Sequence, residues 1–325
     1  MALVETSNTN TNIITDNNNN AQERREQQKQ ENLDFTPVVH VKEVYKSFDY
    51  KNSKNNSSNI TTTYDHLSGQ QQQQLNPTRS LRTSSSSHDV LNRVDLKINE
   101  GEFVTIVGPS GCGKSTLLNI IAGLDRPDSG SVLIRGHVAS SNTSSTKRIM
   151  IFQEGALFPW LNVQDNVEFG LKITKMPKEM SRRVANKYIE MVGLSKFSES
   201  FTYQLSGGMK QRVAIARALA MEPEVLLMDE PFAALDVQTQ DLLHEELVGI
   251  HKTTGKTILF VTHNINEAIL LGDRVIVLSS VLKDIKREFR IDIPRPRDPE
   301  SPELYEIKKQ ILREFEGDLQ IAKRR

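Results

Sequence analysis

The residues with the plainest chemistry are Gly108, Pro109, Ser110, Gly111, Cys112, Gly113, Lys114, Ser115 and Thr116, which spell G-x-x-x-x-G-K-S-T. They follow an apolar, β-rich run, Phe103–Val107, and lead into a helical pattern, Thr116–Ala122, the strand–loop–helix setting this spacing requires. Glycines let such a loop turn its backbone N–H groups inward around phosphate oxygens, at a helix N-terminus whose dipole favours the same charge. Lys114 can then reach the β and γ phosphates, and the Ser115 hydroxyl can ligate Mg²⁺. A Gly-rich turn with a surface lysine would share the letters but not the flanks. The sequence therefore predicts a bound nucleotide.

Two further groups bear on what happens to that nucleotide. Val225–Met228 reads as a buried strand ending in Asp229 and Glu230. Carboxylates at the C-terminal end of such a strand sit where open α/β sheets hold ligands. Asp229 is placed to hold Mg²⁺, and Glu230 to orient or deprotonate an attacking water. Upstream, Leu205-Ser206-Gly207-Gly208-Met209-Lys210-Gln211-Arg212 opens a helical stretch that runs to Ala220. A Ser and two glycines there can form a second phosphate-binding helix N-terminus, although an ordinary Ser N-cap uses the same letters. One triphosphate cannot easily use both N-termini of one chain. The economical arrangement has Ser206, Gly207 and Gly208 capping nucleotide held by a second subunit.

The elements that must position these groups alternate along the chain. Strand signals at Val38–Phe48, Val90–Ile98, Phe103–Val107, Val225–Met228 and Thr257–Val261 are joined by helical stretches at Thr116–Ala122, Met180–Met191, Gly208–Ala220 and Thr239–His251. That alternation predicts an α/β domain with a largely parallel sheet. After Pro299, Leu304, Ile307, Ile311 and Phe315 make one apolar stripe at helical spacing, predicting a docked C-terminal helix.

The rest of the chain has a different character. The 325 residues are 37 % apolar and, even with the 17 glycines added, fall short of the ~45–50 % of compact soluble proteins. Residues 1–35 are rich in Asn, Gln, Thr and Glu, and only six of the 41 residues 49–89 are apolar. Neither segment can bury enough surface to offset its ordering entropy, so both are expected to be disordered, as solvated spacers or partner-binding tracts. Closing such a loop costs little more than closing a short one, so the strands on either side can still pair. Lys plus Arg balance Asp plus Glu at 41 each, which removes any global attraction to nucleic acid. No run of 18 apolar residues and no secretory leader pattern occurs, and an intracellular setting is expected. The single cysteine, Cys112, excludes an intrachain disulfide and a cysteine-built zinc site. Its place at a helix N-terminus beside Lys114 predicts a reactive thiolate whose alkylation ATP would block.

Taken together the motifs resemble the ATP-binding cassette (ABC) ATPases, over Val38–Phe48 and about Val90–Arg297. Leu205–Arg212, lying 23 residues from Ser206 to Asp229, is similar to that family's signature. Gln153 resembles the Q-loop glutamine, which also touches the metal, Asp236 in Ala234-Leu235-Asp236 the D-loop, and His263 the switch histidine that senses the departing phosphoryl group. Phe48 holds the position of the aromatic that stacks on adenine, with Tyr45 as the alternative. The resemblance implies a P-loop NTPase fold: a mainly parallel sheet core, an antiparallel β subdomain and a helical subdomain inserted at about 154–207. The cassette would span 36–293 and the helical tail 294–325.

The run Phe152–Leu161, Asp165-Asn166-Val167, Leu270–Arg274 with Val277–Ser280, and Pro294–Asp298 narrow the resemblance to the nitrate/sulfonate/taurine importer branch. Ser140–Thr146 and Val281–Lys283, which lacks the usual Arg-Pro-Gly, depart from it. The resemblance implies ATP and Mg²⁺ as cofactors, a homodimer closing head to tail, transmembrane permease subunits and, indirectly, a solute-binding protein. It places the chain at the cytoplasmic face of a membrane, with Leu157, Phe158, Trp160 and Leu161 near the permease or packed within the helical subdomain. The alternatives are a soluble non-transport ABC ATPase and an importer subunit for another small solute.

Overall fold

The computed structural model describes residues 37–49, 87–139, 147–153 and 156–323; the N-terminal tail, most of the low-complexity insertion and Ser140–Thr146 lie outside the described residues. Two sheets share one helix between them. Strands β1 (Val39–Asp49), β2 (Ser87–Ile98), β4 (Ser129–Ile134) and β5 (His137–Val138) form an antiparallel sheet in the order β2-β1-β4-β5. Strands β3 (Phe103–Val107), β6 (Arg148–Ile151), β7 (Val225–Asp229), β8 (Thr257–Thr262), β9 (Arg274–Leu278) and β10 (Ile285–Arg290) form the second, ordered β10-β9-β3-β8-β7-β6. All its pairings are parallel except β9 with β10.

The apolar runs explain why the central strands are central. Every residue of β3 is buried, with Phe103 on one face and Val104 and Ile106 on the other, so both faces must be covered. Helix α1 (Lys114–Ala122) covers one of them. Its Leu117, Leu118 and Ile121 are fully buried between the two sheets, each contributing roughly 1.5–3 kcal/mol. The other face carries helices α2 (Val163–Ile173), α3 (Lys178–Met191) and α4 (Gly207–Ala220), packed through Val167, Leu171, Ile189, Val213 and Leu219. Helix α5 (Val237–Thr254) joins this cluster through Leu243, Leu247 and Ile250.

Several elements differ from the sequence reading. Helix α2 carries no strong apolar run and is not among the helical stretches read from the pattern, although it falls within the span 154–207 that the resemblance makes helical; Asn162 starts it by accepting the Asp165 N–H, and Val163, Val167 and Leu171 bury one stripe. The β1–β2 ladder extends beyond the apolar pattern, into residues that composition assigns to the insertion. Ser47 pairs with Asp89, Phe48 with His88 and Asp49 with Ser87, in a new register taken up after a shift between Lys46 and Ser47. The two strands do pair across the intervening chain, as the weak length dependence of loop closure predicts.

The tail docks as its stripe implies. Helix α6 (Ile265–Leu271) and helix α7 (Pro302–Lys323) enclose a third cluster, in which Leu304 and Ile311 are fully buried and Ile307 and Phe315 pack at its edge. The buried Arg297 guanidinium donates to the carbonyls of Ile269, Leu270, Gly272, Ile291 and Ile293, fixing the chain between β10 and α7. At the far end Asp318 accepts from Lys286 Nζ at 2.8 Å and Ser279 Oγ at 2.7 Å.

Candidate functional site

Parallel pairing brings distant parts of the sequence to one edge. Val107 of β3 pairs with Thr262 of β8, Val261 with Asp229 of β7, and Met228 with Ile151 of β6. The residues just beyond these ends are the Gly108–Gly113 loop, His263, Glu230 and Gln153. They stand side by side along the carboxyl edge of the sheet, where such sheets bind ligands.

The loop owes its path to two glycines. Gly113 has φ 104°, and a Cβ there would meet Leu91 Cδ2 at 2.7 Å and the Val90 carbonyl at 2.8 Å. A Cβ at Gly108 would meet Cys112 Sγ at 2.6 Å and the Leu278 carbonyl at 2.7 Å. No side chain caps α1, so its first N–H groups are left to an anion. Lys114 Nζ, almost wholly buried, is held by the carbonyls of Gly108 at 2.9 Å and Pro109 at 3.3 Å and lies 3.8 Å from Glu230 Oε1.

That geometry corrects one expectation. Cys112 was read as a thiolate, but its side chain is fully buried against Gly108, and burial pushes the thiol up despite Lys114 nearby. The desolvation of a sulfur facing the core outweighs the cation and the helix end, so it is not the exposed, reactive thiolate the sequence suggested.

Ser115 Oγ donates to Asp229 Oδ1 at 3.1 Å. Burial, reinforced by the Glu230 charge, raises the Asp229 carboxyl above its ordinary value, with the Ser115 hydrogen bond opposing. Two hard oxygen donors, one of them a carboxylate short of positive charge, suit Mg²⁺. Because the folded-state value is raised, this group's contribution to stability is complete below the ordinary aspartate range and is lost as pH rises through the raised value. Asp229→Asn is therefore expected to raise Tm near neutral pH while weakening Mg²⁺-dependent nucleotide binding, a trade read by calorimetry and titration. An unchanged or lower Tm would contradict the strain assigned to this carboxylate.

Glu230 adopts φ 44°, a left-handed conformation uncommon for a side chain of its size. Its N–H donates to the Val261 carbonyl at 2.9 Å and its carbonyl accepts from Ala233 N–H at 3.2 Å, so the turn is held from both sides. Oε2 lies 2.7 Å from His263 Nδ1, and the His263 ring is 60 % exposed. Thr262, Asn264, Glu267, Phe232 and Gln240 line the same cleft. None of these five was anticipated, since an isolated Gln, Asn or Glu carries no spacing signal.

The remaining candidates sit as follows. Gln153 is exposed in the turn after β6. Thr116 lies within the first turn of α1, while Ser110 and Gly111 form the exposed rim of the loop. Phe48 is 46 % exposed with Lys46 Nζ 5.1 Å from its ring centroid, and its partner His88 is two residues from the Val90 that touches Gly113. Tyr45, the alternative, donates its hydroxyl to Asp89. Exposed Ser206 caps α4 by accepting the Met209 N–H, and a Cβ at Gly207 or Gly208 would meet Leu235 at 2.9 Å or Thr239 at 2.6 Å. Asp236 caps α5: Thr239 donates to it from N–H and Oγ1, and the N–H bond leads in holding its carboxyl below the usual range. Both caps are the plain structural use of those letters.

Trp160, 69 % exposed, stands beside Phe158, whose ring is tilted 41° against Phe169 with centroids 4.1 Å apart and lies under Arg217. An apolar groove there runs past Phe152, Phe158, Phe169, Gly170, Ala214 and Met221. Among the described residues, no helix is long and apolar enough to cross a membrane.

Known proteins are similar to this chain in sequence and fold. The family described as ABC transporter matches residues 91–233. The nitrate import ATP-binding protein NrtD of Synechocystis sp. is 47 % identical over 220 residues, covering 68 % of this chain and 82 % of that protein. The taurine import ATP-binding protein TauB of Roseobacter denitrificans is 44 % identical over 201 residues, covering 62 % of this chain and 74 % of that protein. A solved structure of a dimeric bacterial ABC transporter cassette superposes with a TM-score of 0.60 at 33 % identity, covering 79 % of this chain and all of that one.

Proposed function

The chain belongs to the ABC transporter family as an ATP-hydrolysing subunit, and from that premise we propose that two copies couple ATP turnover to uptake of a small anion, such as nitrate, a sulfonate or taurine, through a membrane permease. The observation that carries the mechanism is the line of groups along one sheet edge: Lys114 beside Glu230, and Glu230 bonded to His263.

In this reading the Gly108–Gly113 backbone and Lys114 grip the triphosphate, and Phe48 stacks on adenine. Ser115 and Asp229, with Gln153, hold Mg²⁺, which supplies neutralisation of the phosphate charge when bound. Glu230 Oε1 or Oε2 takes a proton from the attacking water, its carboxylate oriented by the hydrogen bond from the His263 ring. The ring's other nitrogen meets the transferred phosphoryl group. Ser206, Gly207 and Gly208 complete the site of a second copy; what supports this is the exposure of Ser206 and Gly207 at the start of α4, next to Leu235 in the turn that follows Glu230, with Gly208 packed beneath them against Thr239. The names of NrtD and TauB support the choice of anion and the import direction.

Trp160 and the groove around Phe158 are the face offered to the permease, at the cytoplasmic side of the membrane. Substituting Trp160→Ala is expected to weaken capture by the detergent-solubilised permease on the order of 10-fold or more, while ATP affinity measured by titration stays unchanged. Full permease capture by that variant would remove this face from the interface. Uptake itself is read in vesicles holding permease, solute-binding protein and this chain, where nitrate or taurine should accumulate only with ATP.

A further inference from the structure

Gln240 and His244 are four residues apart on α5 and so leave the helix on one side. Gln240 Nε2 donates to the carbonyls of Phe232 at 2.9 Å and Leu235 at 3.1 Å, the turn directly after Glu230. His244 stands edge-on to Phe232 at 5.5 Å, and its Nε2 lies 2.8 Å from Glu267 Oε1. His244 and Glu267 are both buried, at 9 % and 6 % exposure. Glu267 occupies the first turn of α6, where its N–H donates to Asn264 Oδ1, and Asn264 follows His263. The contacts close a circuit: Glu230, Phe232, His244, Glu267, Asn264, His263, and back to Glu230 through the 2.7 Å bond.

We propose that His244 and Glu267 are a positioning pair that sets the placement of His263 against Glu230, and through it the rate of hydrolysis, without helping to bind ATP. The proposal rests on the roles given above to Glu230 and His263. A buried carboxylate needs a donor, and the imidazole Nε2–H supplies it. Nδ1 of His244 makes no hydrogen bond among the described residues, with Asp241 Oδ1 4.0 Å away, so the ring's engagement is with Glu267. Remove that donor and Glu267 must move toward water, carrying the start of α6 and the adjoining His263 with it. Glu230 cannot follow, because its left-handed turn is fixed by Val261 and by Gln240 on the turn beyond. A displacement near 1 Å between two groups acting on one water costs on the order of 10–100-fold in rate.

The test measures kcat, KM for ATP, affinity for a fluorescent ATP analogue and Tm. His244→Leu is expected to lower kcat on the order of 10–100-fold with nucleotide affinity essentially unchanged. His244→Gln, which keeps a donor for Glu267, should recover most of the rate. The double variant His244→Leu with Glu267→Leu removes the unpaired carboxylate, so Tm should recover while kcat stays low. If Tm and kcat recover together in the double variant, or if His244→Leu turns over like wild type, the pair is structural and the proposal falls. Glu230→Gln separates the two levels of argument: continued turnover there would overturn the role of Glu230 itself, whereas an inactive Glu230→Gln beside a fully active His244→Leu would overturn only the positioning pair.

Discussion

Glu230→Gln should bind ATP as tightly as the unmodified chain and hydrolyse it about 10²–10⁴-fold more slowly. The amide matches the carboxylate in shape and can still bond His263 and occupy the left-handed turn, so binding and fold are preserved while the proton acceptor is lost. Nucleotide held without turnover should leave the two copies closed on one another, seen as a doubling of mass in the presence of ATP. Rapid phosphate release would remove Glu230 from its role, and a monomer that retains ATP would separate binding from closure.

The second large effect concerns which chain completes which site. Lys114→Ala removes the buried ammonium proposed to reach the phosphates, and its own loop should lose ATP affinity by roughly 10–100-fold. Ser206→Arg leaves that loop intact but blocks the helix start offered to the other copy; it should bind ATP and not hydrolyse it. Mixed in equal amounts, the two inactive variants exchange partners. Each mixed dimer contains one site with an intact loop from one chain and an intact Ser206 from the other. Turnover should therefore return to about a quarter of the unmodified rate, the share of intact sites under random pairing. No recovery in a mixture shown to form mixed dimers would defeat the head-to-tail arrangement.

The parts of the site that are continuous in sequence were legible there. The loop Gly108–Thr116 carries its own strand and helix, and the run Val225–Met228 announces both its burial and the acids at its end. What joins them was not legible. The side-by-side placement of Lys114, Glu230 and His263 depends on β3, β8 and β7 being parallel neighbours in register, which no local pattern states. Cys112 shows the reverse failure: neighbours in sequence implied an activated thiol, but the fold turns the sulfur onto Gly108 and the core. The N-cap reading of Ser206 was open from its letters, and Asp236 could have been read the same way from Asp236…Thr239, yet that reading alone says nothing of a partner. His244 and Glu267, 23 residues apart on two helices, gave no signal at all.

The β1–β2 ladder has a wider meaning for how this chain can change. Phe48 opposite His88 and Asp49 opposite Ser87 fasten both ends of the intervening stretch, so anything spliced between them meets a finished seam. Its length enters the free energy only through a logarithm. That stretch can thus be shortened, lengthened or exchanged for a reporter domain at little cost to the pairing of β1 with β2.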